Sequence, residues 1–261
     1  MFEFASVTDP GLVRENNEDS VACDASQGVA VLADGMGGYN AGEIASAMAV
    51  TFIRAEVARW LSEAGSRLSG QDVRRALELC VSQANQSIYN AAVSNPQFSG
   101  MGTTIVVGVF EPGRVVLGHV GDSRCYVFRA GRLTQLTRDH SLLQEQLEAG
   151  LITPEQAKFA THKNLVTRAL GVDEGVMVDI QEHVPLEGDV YLMCSDGLTD
   201  MVDDELLCAL LSVPDSLTEK AQNLVRAAND AGGRDNISVI LTQVTAKSGP
   251  AGFFSRVLRM N

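Results

Sequence analysis

The chain has 261 residues, 45% of them hydrophobic and 20% charged, with a formal net charge of -13. That length and apolar share suit one large globular domain and argue against a disordered or fibrous chain, while the acidic balance argues against nucleic-acid binding by general electrostatics, since a phosphate backbone would be repelled. Cys23, Cys80, Cys125, Cys194 and Cys208 are scattered and form no CxxC pair, which argues against a zinc knuckle and suggests reduced core residues of a cytoplasmic protein.

Residues 2–8 and 19–34 read as strands. The run Val29-Ala30-Val31-Leu32-Ala33 is apolar and stops at Asp34-Gly35, as a buried strand ending in a turn would. A glycine-rich loop, Gly37 to Gly42, follows. Helical spacing of apolar residues predicts a helix from Glu43 to about Ser62 and another from about Asp72 to Val93. Residues 102–136 predict four short strands joined by tight turns in an antiparallel sheet. Residues 138–164 are polar and helical, with Pro154 at a helix start, and read as an excursion from the sheet. Strands are predicted at 176–183 and 189–195, a helix at about 217–231, and a last strand at 237–244. This segregated order predicts an α+β fold with two sheets face to face and helices outside.

The tail, 247–261, begins with the linker-like Ser248-Gly249-Pro250-Ala251-Gly252 and ends in the apolar and basic Phe253–Met260 segment. It fits docking on a partner, a membrane surface or its own domain, or no fixed structure. No secretory signal follows Met1, and no apolar run approaches the roughly 18–20 residues a membrane span needs. A soluble chain is expected.

Acidic residues recur at turns predicted immediately after apolar strands: Asp19, Asp34, Asp122, Asp196 and Asp235. An Asp-Gly pair is an ordinary turn signal, so the argument rests on the set. Strand ends converge at a sheet edge and can bring such carboxylates into one site. At about 4 Å and an effective dielectric near 20, each like-charged pair costs roughly 4 kcal/mol. Raised pKa values or bound cations offset that cost, and oxygen ligands suit Mg²⁺, Mn²⁺ or Ca²⁺.

Eight segments stand in one order along the chain. They are Gly11-Leu12-Val13-Arg14-Glu15-Asn16-Asn17-Glu18-Asp19, Ala33-Asp34-Gly35-Met36-Gly37-Gly38, Gly42-Glu43-Ile44-Ala45-Ser46 and Gly100-Met101-Gly102-Thr103-Thr104. Gly118-His119-Val120-Gly121-Asp122-Ser123-Arg124, Leu165-Val166-Thr167-Arg168-Ala169-Leu170-Gly171, Cys194-Ser195-Asp196-Gly197-Leu198 and Gly233-Arg234-Asp235-Asn236-Ile237-Ser238 complete the set. In these segments the chain resembles the metal-dependent protein phosphatase 2C (PP2C, or PPM) family, over about residues 4–244.

The resemblance implies a four-layer α-β-β-α sandwich: two mainly antiparallel sheets flanked by helix pairs, filling a phosphatase domain at 1–246. It implies two Mn²⁺ or Mg²⁺ ions, with Asp34 bridging them and the Gly35 carbonyl on one. Asp196 and Asp235 would complete the first shell, Glu18 and Asp19 would hold the second ion, and Asp122 with Asp196 would form a third, weaker site. A hydroxide between the two ions would attack phosphorus in line, and Arg14 would clamp the phosphate. Met36 stands where many eukaryotic members carry a histidine, and it cannot donate a proton. Bacterial members commonly share this feature, and the minimal domain also points to that branch. His119, His140, His162 and His183 read as structural. Residues 138–164 correspond to the flap beside the site, with Thr137, Asp139 and His140 at its base.

The implied activity is hydrolysis of phosphoserine and phosphothreonine in proteins by a monomer that opposes a serine/threonine kinase. Two alternatives stay open: a small-phosphoester hydrolase on the same centre, and a non-catalytic regulatory pseudophosphatase.

Overall fold

Residues 1–38, 41–64, 68–157 and 165–246 are described by the computed structural model of the chain. Tyr39 and Asn40 of the glycine-rich loop, residues 65–67, residues 158–164 with His162, and the whole tail from 247 lie outside the described residues.

The chain opens with three strands, β1 (Phe2–Asp9), β2 (Asp19–Asp24) and β3 (Val29–Met36). Two long helices follow, α1 (Ala41–Ala64) and α2 (Gly70–Ser94). Strands β4 (Gly102–Thr103), β5 (Ile105–Glu111), β6 (Arg114–Val120), β7 (Arg124–Arg129) and β8 (Arg132–Gln135) come next. Short helices α3 (Leu142–Glu148) and α4 (Pro154–Ala157) lie outside the sheets, and β9 (Asp179–His183) and β10 (Val190–Cys194) return to them. Helices α5 (Asp196–Thr199), α6 (Asp204–Ser212) and α7 (Leu217–Asp230) precede the last strand, β11 (Ile237–Val244).

One sheet runs β1-β11-β10-β7-β8 and the other β2-β3-β5-β6-β9, with β4 added beside β3. Every neighbouring pair is antiparallel. The apolar strands are continuous in sequence because both faces of each sheet are covered. Val31 and Val107 point to α1 and α2 with Ile53 and Leu77. Their neighbours Leu32 and Val106 point between the sheets, against Tyr191, Met193 and Ile240. Leu192 and Leu241 face the other way, onto Leu207 of α6 and Leu224 of α7. Three apolar layers thus separate four structural ones, the α-β-β-α sandwich.

The helices carry their own start signals. Ser69 and Asp72 form a reciprocal capping box on α2, as Ser216 and Glu219 do on α7. Each satisfies two backbone N–H groups that the first turn leaves unpaired.

Four expectations need correction. The run 19–34 is two strands joined by a turn, and β3 continues through Asp34 to Met36 instead of stopping at a turn. Residues 176–178 precede β9 and are not strand. The strands of 102–136 do not form one sheet: β5 and β6 belong to one and β7 and β8 to the other. Gly121, at φ +105°, makes the turn between β6 and β7 that crosses from sheet to sheet, and a Cβ there would meet Thr104 Cβ at 2.6 Å. Finally, α6 is absent from the elements predicted above. It is nine residues long, capped by Asp203 accepting from the Leu206 amide at 2.9 Å, and it completes the second helix pair.

Candidate metal centre

The antiparallel register gathers the aspartates. Asp19, the first residue of β2, lies directly opposite Asp34 of β3. From the other sheet, β10 ends at Cys194 and Asp196 opens α5, while Asp235 precedes β11. Asp122 occupies the turn that crosses between the sheets. Because neighbouring strands run in opposite directions, starts and ends meet at the same edge. Asp19 and Asp34 are therefore strand residues, not the turn residues expected from sequence.

A cavity of about 250 Å³ opens there, lined by Arg14, Glu18, Asp34, Gly35, Asp122, Asp196 and Asp235, together with Met36. Asp19 does not line it. Asp19 sits behind, 7% exposed, with Oδ2 accepting from Ser195 Oγ at 2.8 Å and Oδ1 buried without a partner among the described residues. Arg14, whose side chain is 54% exposed, donates from Nη2 to Asp235 Oδ2 at 2.7 Å. Gly35 is where the chain passes closest to its surroundings. A Cβ there would lie 2.1 Å from the Gly42 carbonyl and 2.6 Å from that of Glu18, so any side chain would push apart β3, the first turn of α1 and the Glu18 backbone.

Glu18, Asp19, Asp34, Asp122 and Asp196 hold protons more tightly than usual. Burial pushes Asp34 well above the ordinary range, helped by the charges of Asp19, Asp196, Asp122 and Asp235. Burial raises Asp196 likewise, with Asp122, Asp200 and Asp235 adding to it. Asp19 is pushed up to about 6 by burial, which outweighs the nearby Ser238 and Ser195 hydroxyls. Asp122 is pushed up to about 6 by burial and then by the charge of Asp139. Glu18 is raised mainly by burial. Among the described lining residues Arg14 is the cation, and one guanidinium does not offset this concentration of carboxylates.

Three supporting residues have no individual role assigned from sequence. Thr104 donates its amide to the Asp34 carbonyl at 2.8 Å and its Oγ1 accepts from the Asp34 amide at 3.1 Å. The same Oγ1 meets Ser123 Oγ at 2.7 Å, tying Asp34 to the Asp122 turn. Asn236 pins the loop that carries Arg14 and Glu18: its Nδ2 donates to the carbonyls of Pro10 at 3.0 Å and Asn16 at 2.9 Å, and its Oδ1 accepts from the Glu18 amide at 2.7 Å. Ser195 bridges Asp19 to β11, accepting from the Ser238 amide at 3.0 Å. The signal available is position: Thr104, Asn236 and Ser195 all fall inside the eight segments.

The described histidines do not line this cavity. His119 and His140 stack with centroids 4.7 Å apart. His119 Nε2 lies 2.8 Å from the Arg138 carbonyl, and His140 Nδ1 accepts from the Gly121 amide at 3.0 Å. With Asp179 they bring ligand-type atoms within 4.8 Å of one another. Arg168 already lies against that group, 2.9 Å from Asp179 Oδ1. After β8, Asp139 accepts a forked pair of hydrogen bonds from Arg124, at 2.9 Å from Nε and 2.7 Å from Nη2, and Thr137 is buried. Val166 also lines the acidic cavity.

The family profile described as Protein phosphatase 2C matches residues 13–241. The serine/threonine phosphatase stp of Listeria welshimeri is 39% identical over 240 residues, 90% of this chain and 93% of that protein. The serine/threonine protein phosphatase PstP of Mycobacterium tuberculosis is 38% identical over 244 residues, 94% of this chain, which spans 45% of that longer protein. The crystal structure of the PstP catalytic domain in complex with 2 manganese ions superposes with a TM-score of 0.82 at 38% identity, covering 94% of this chain and 99% of that one. The match to the family profile over most of the chain, the eight ordered segments and the shared fold establish that this chain belongs to the protein phosphatase 2C family.

Proposed function

We propose that the chain is a protein phosphatase that hydrolyses phosphoserine and phosphothreonine, using two divalent cations in the acidic cavity. The observation that carries this reading is the set of five carboxylates on one cavity of about 250 Å³, backed by Asp19 with its buried, unpartnered Oδ1. An all-oxygen donor set with excess negative charge fits Mn²⁺ or Mg²⁺. Asp34 would be shared by the two ions, and the Gly35 carbonyl, Asp196 and Asp235 would hold the first. Glu18 and Asp19 would serve the second. Asp122, beside Asp196, would hold a third ion more weakly. When bound, such ions supply an activated water nucleophile and offset charge on the phosphoryl oxygens.

The chain's own residues do the rest. Arg14 would turn from Asp235 to the substrate phosphate, its planar fork suited to two phosphate oxygens. Asn236 holds the Arg14 loop in place, and Thr104 fixes the backbone of Asp34. Met36 lines the cavity but has no proton to give to the leaving group. The residues before 165 would form a flap that bears on substrate choice. Residues 1–246 would act as one domain and as a monomer, since one chain supplies the whole cavity. The five cysteines are free, in keeping with a cytoplasmic enzyme that reverses the work of a serine/threonine kinase.

The test is hydrolysis of a phosphothreonine peptide with Mn²⁺ and with chelator, by wild type and Asp34→Asn. Activity that needs the metal and collapses in the variant is expected. Turnover of nucleotides but not of the peptide would replace the protein substrate with a small phosphoester, and no turnover with any ion would point to a pseudophosphatase.

A further inference from the structure

A second cavity, of about 580 Å³, lies at the other end of the strands. It opens between the sheets where the edge strands β8 and β9 both contribute. Phe128 and Leu133 face the α6–α7 side, so strand alternation turns Val127, Arg129 and Arg132 toward the space between the sheets. Leu136 joins them, with His183 from β9 and Tyr191 from β10. Arg129 ends the strand that starts at Arg124, two residues after Asp122. Six residues at about 3.3 Å each put the two ends of β7 roughly 17 Å apart.

Two polar atoms here lack close partners. Among the described residues, His183 Nε2 and Tyr191 Oη are two of five buried side-chain N or O atoms without a close hydrogen bond; the Arg129 guanidinium reaches toward Tyr191 Oη but, being a donor, gives its O–H no acceptor. Tyr191 is 1% exposed, and a buried polar group without a partner costs about 1–3 kcal/mol. Arg129 is engaged with Asp189, at 2.8 Å from Nε and 2.7 Å from Nη2, and also donates to the Val184 carbonyl at 3.0 Å. Arg132 is exposed and forms no ion pair among the described residues. Among the described residues no carboxylate lines the cavity, although the chain's net charge is -13.

The polar groups share one character. The phenol hydroxyl and the guanidinium groups can donate, and the imidazole of His183 does so in the tautomer that carries its proton on Nε2. Burial pushes the Tyr191 hydroxyl up to about 12, so it keeps its proton at neutral pH. Burial also lowers His183 below its usual range. Donors without acceptors, the Arg132 cation and the apolar Val127 and Leu136 define the complementary molecule. We propose that this cavity binds a small organic anion, a carboxylate or phosphate-type head group on an apolar body.

The experiment is a titration of the ¹⁵N-labelled full chain, with Mg²⁺ present, by 2-naphthoate, by uncharged 2-naphthamide and by 2-naphthylphosphonate. Saturable shifts of backbone amides in 127–136 and 183–191 are expected with the two anions, whose relative affinities decide the head group. The amide ligand should bind at least 10-fold more weakly. Arg132→Glu should weaken the anions at least 10-fold while hydrolysing phosphopeptide at the wild-type rate, and Tyr191→Phe should weaken them several-fold. Absence of saturable shifts at these amides in the millimolar range would overturn the proposal. So would equal binding of 2-naphthamide, or affinity unchanged by Arg132→Glu.

Discussion

The two ends of the β-sandwich both hold buried polar atoms that have no partner among the described residues, and they differ in sign. At one end, Asp19 Oδ1 sits behind a cavity lined by five carboxylates. At the other, His183 Nε2 and Tyr191 Oη belong to a cavity lined by guanidinium groups and, among the described residues, by no carboxylate. A folded chain tolerates such atoms where a ligand completes them. The acceptor-rich end calls for cations and the donor-rich end for an anion. The same strands, β7 and β10, run from one cavity to the other, so the two are built on one rigid frame.

Removing an acidic ligand should have the largest effect. Asp34→Asn should lower Mn²⁺-supported hydrolysis of a phosphothreonine peptide on the order of 10³-fold, since the shared ligand is lost while the fold remains. Steady-state kinetics over a range of Mn²⁺ concentrations would check this, and a drop under 10-fold would take Asp34 out of the centre. Asn236→Ala should come next. It removes three hydrogen bonds from the loop that carries Arg14 and Glu18. The expected loss in kcat/KM is roughly 10–100-fold, mostly as a raised KM, with about 1–3 kcal/mol of stability from the unsatisfied backbone groups. A fall in stability with unchanged kinetics would show that the loop does not need Asn236 to present Arg14.

The pH dependence sharpens the contrast further. Asp19 and Asp122 are both held at about 6 in the fold, whereas an unfolded chain releases such protons near pH 4. The folded state therefore binds more protons between those values. The stability contributed by the protonated groups is complete below about pH 4 and is lost as pH rises through about 6. Mn²⁺ competes with the same protons, so the rise in Tm that it causes should be small at pH 5 and larger at pH 7.5. Thermal unfolding with and without chelator across that range measures it, and a shift that shrinks with rising pH would contradict the assignment. The smallest effect expected is on Arg14. Its bond to Asp235 is largely solvent-exposed, so Arg14→Ala should change stability by under about 1 kcal/mol while raising KM for the phosphopeptide.

Much of this is legible in the amino-acid sequence. The apolar runs at 29–33, 105–110 and 237–241 predict buried strands because both faces of each sheet are covered, and the eight ordered segments carry every charged residue found at the acidic cavity. What escapes has physical reasons. Helix α6 is nine residues long, too short for its period to stand out from an apolar run, and only the Asp203 cap marks it. Asp34 reads as a turn residue because Asp-Gly usually is one, yet β4 pairs with β3 at Gly35 and keeps it extended. Asn236 reaches partners more than 200 residues away in sequence and Ser195 one that lies 176 away, where no local spacing reports a contact. The cavity at His183 and Tyr191 depends on the divergence of two edge strands, which no single segment encodes.

The central claim is that the acidic cavity is strained without cations, and thermal unfolding of wild type and Asp34→Asn at pH 7.5, each with chelator and with Mn²⁺, tests it most directly. Removing one of several mutually repelling carboxylates should make the metal-free variant more stable than metal-free wild type, while Mn²⁺ should raise the Tm of wild type and leave the variant nearly unchanged. A metal-free variant less stable than wild type, with an undiminished response to Mn²⁺, would contradict the account.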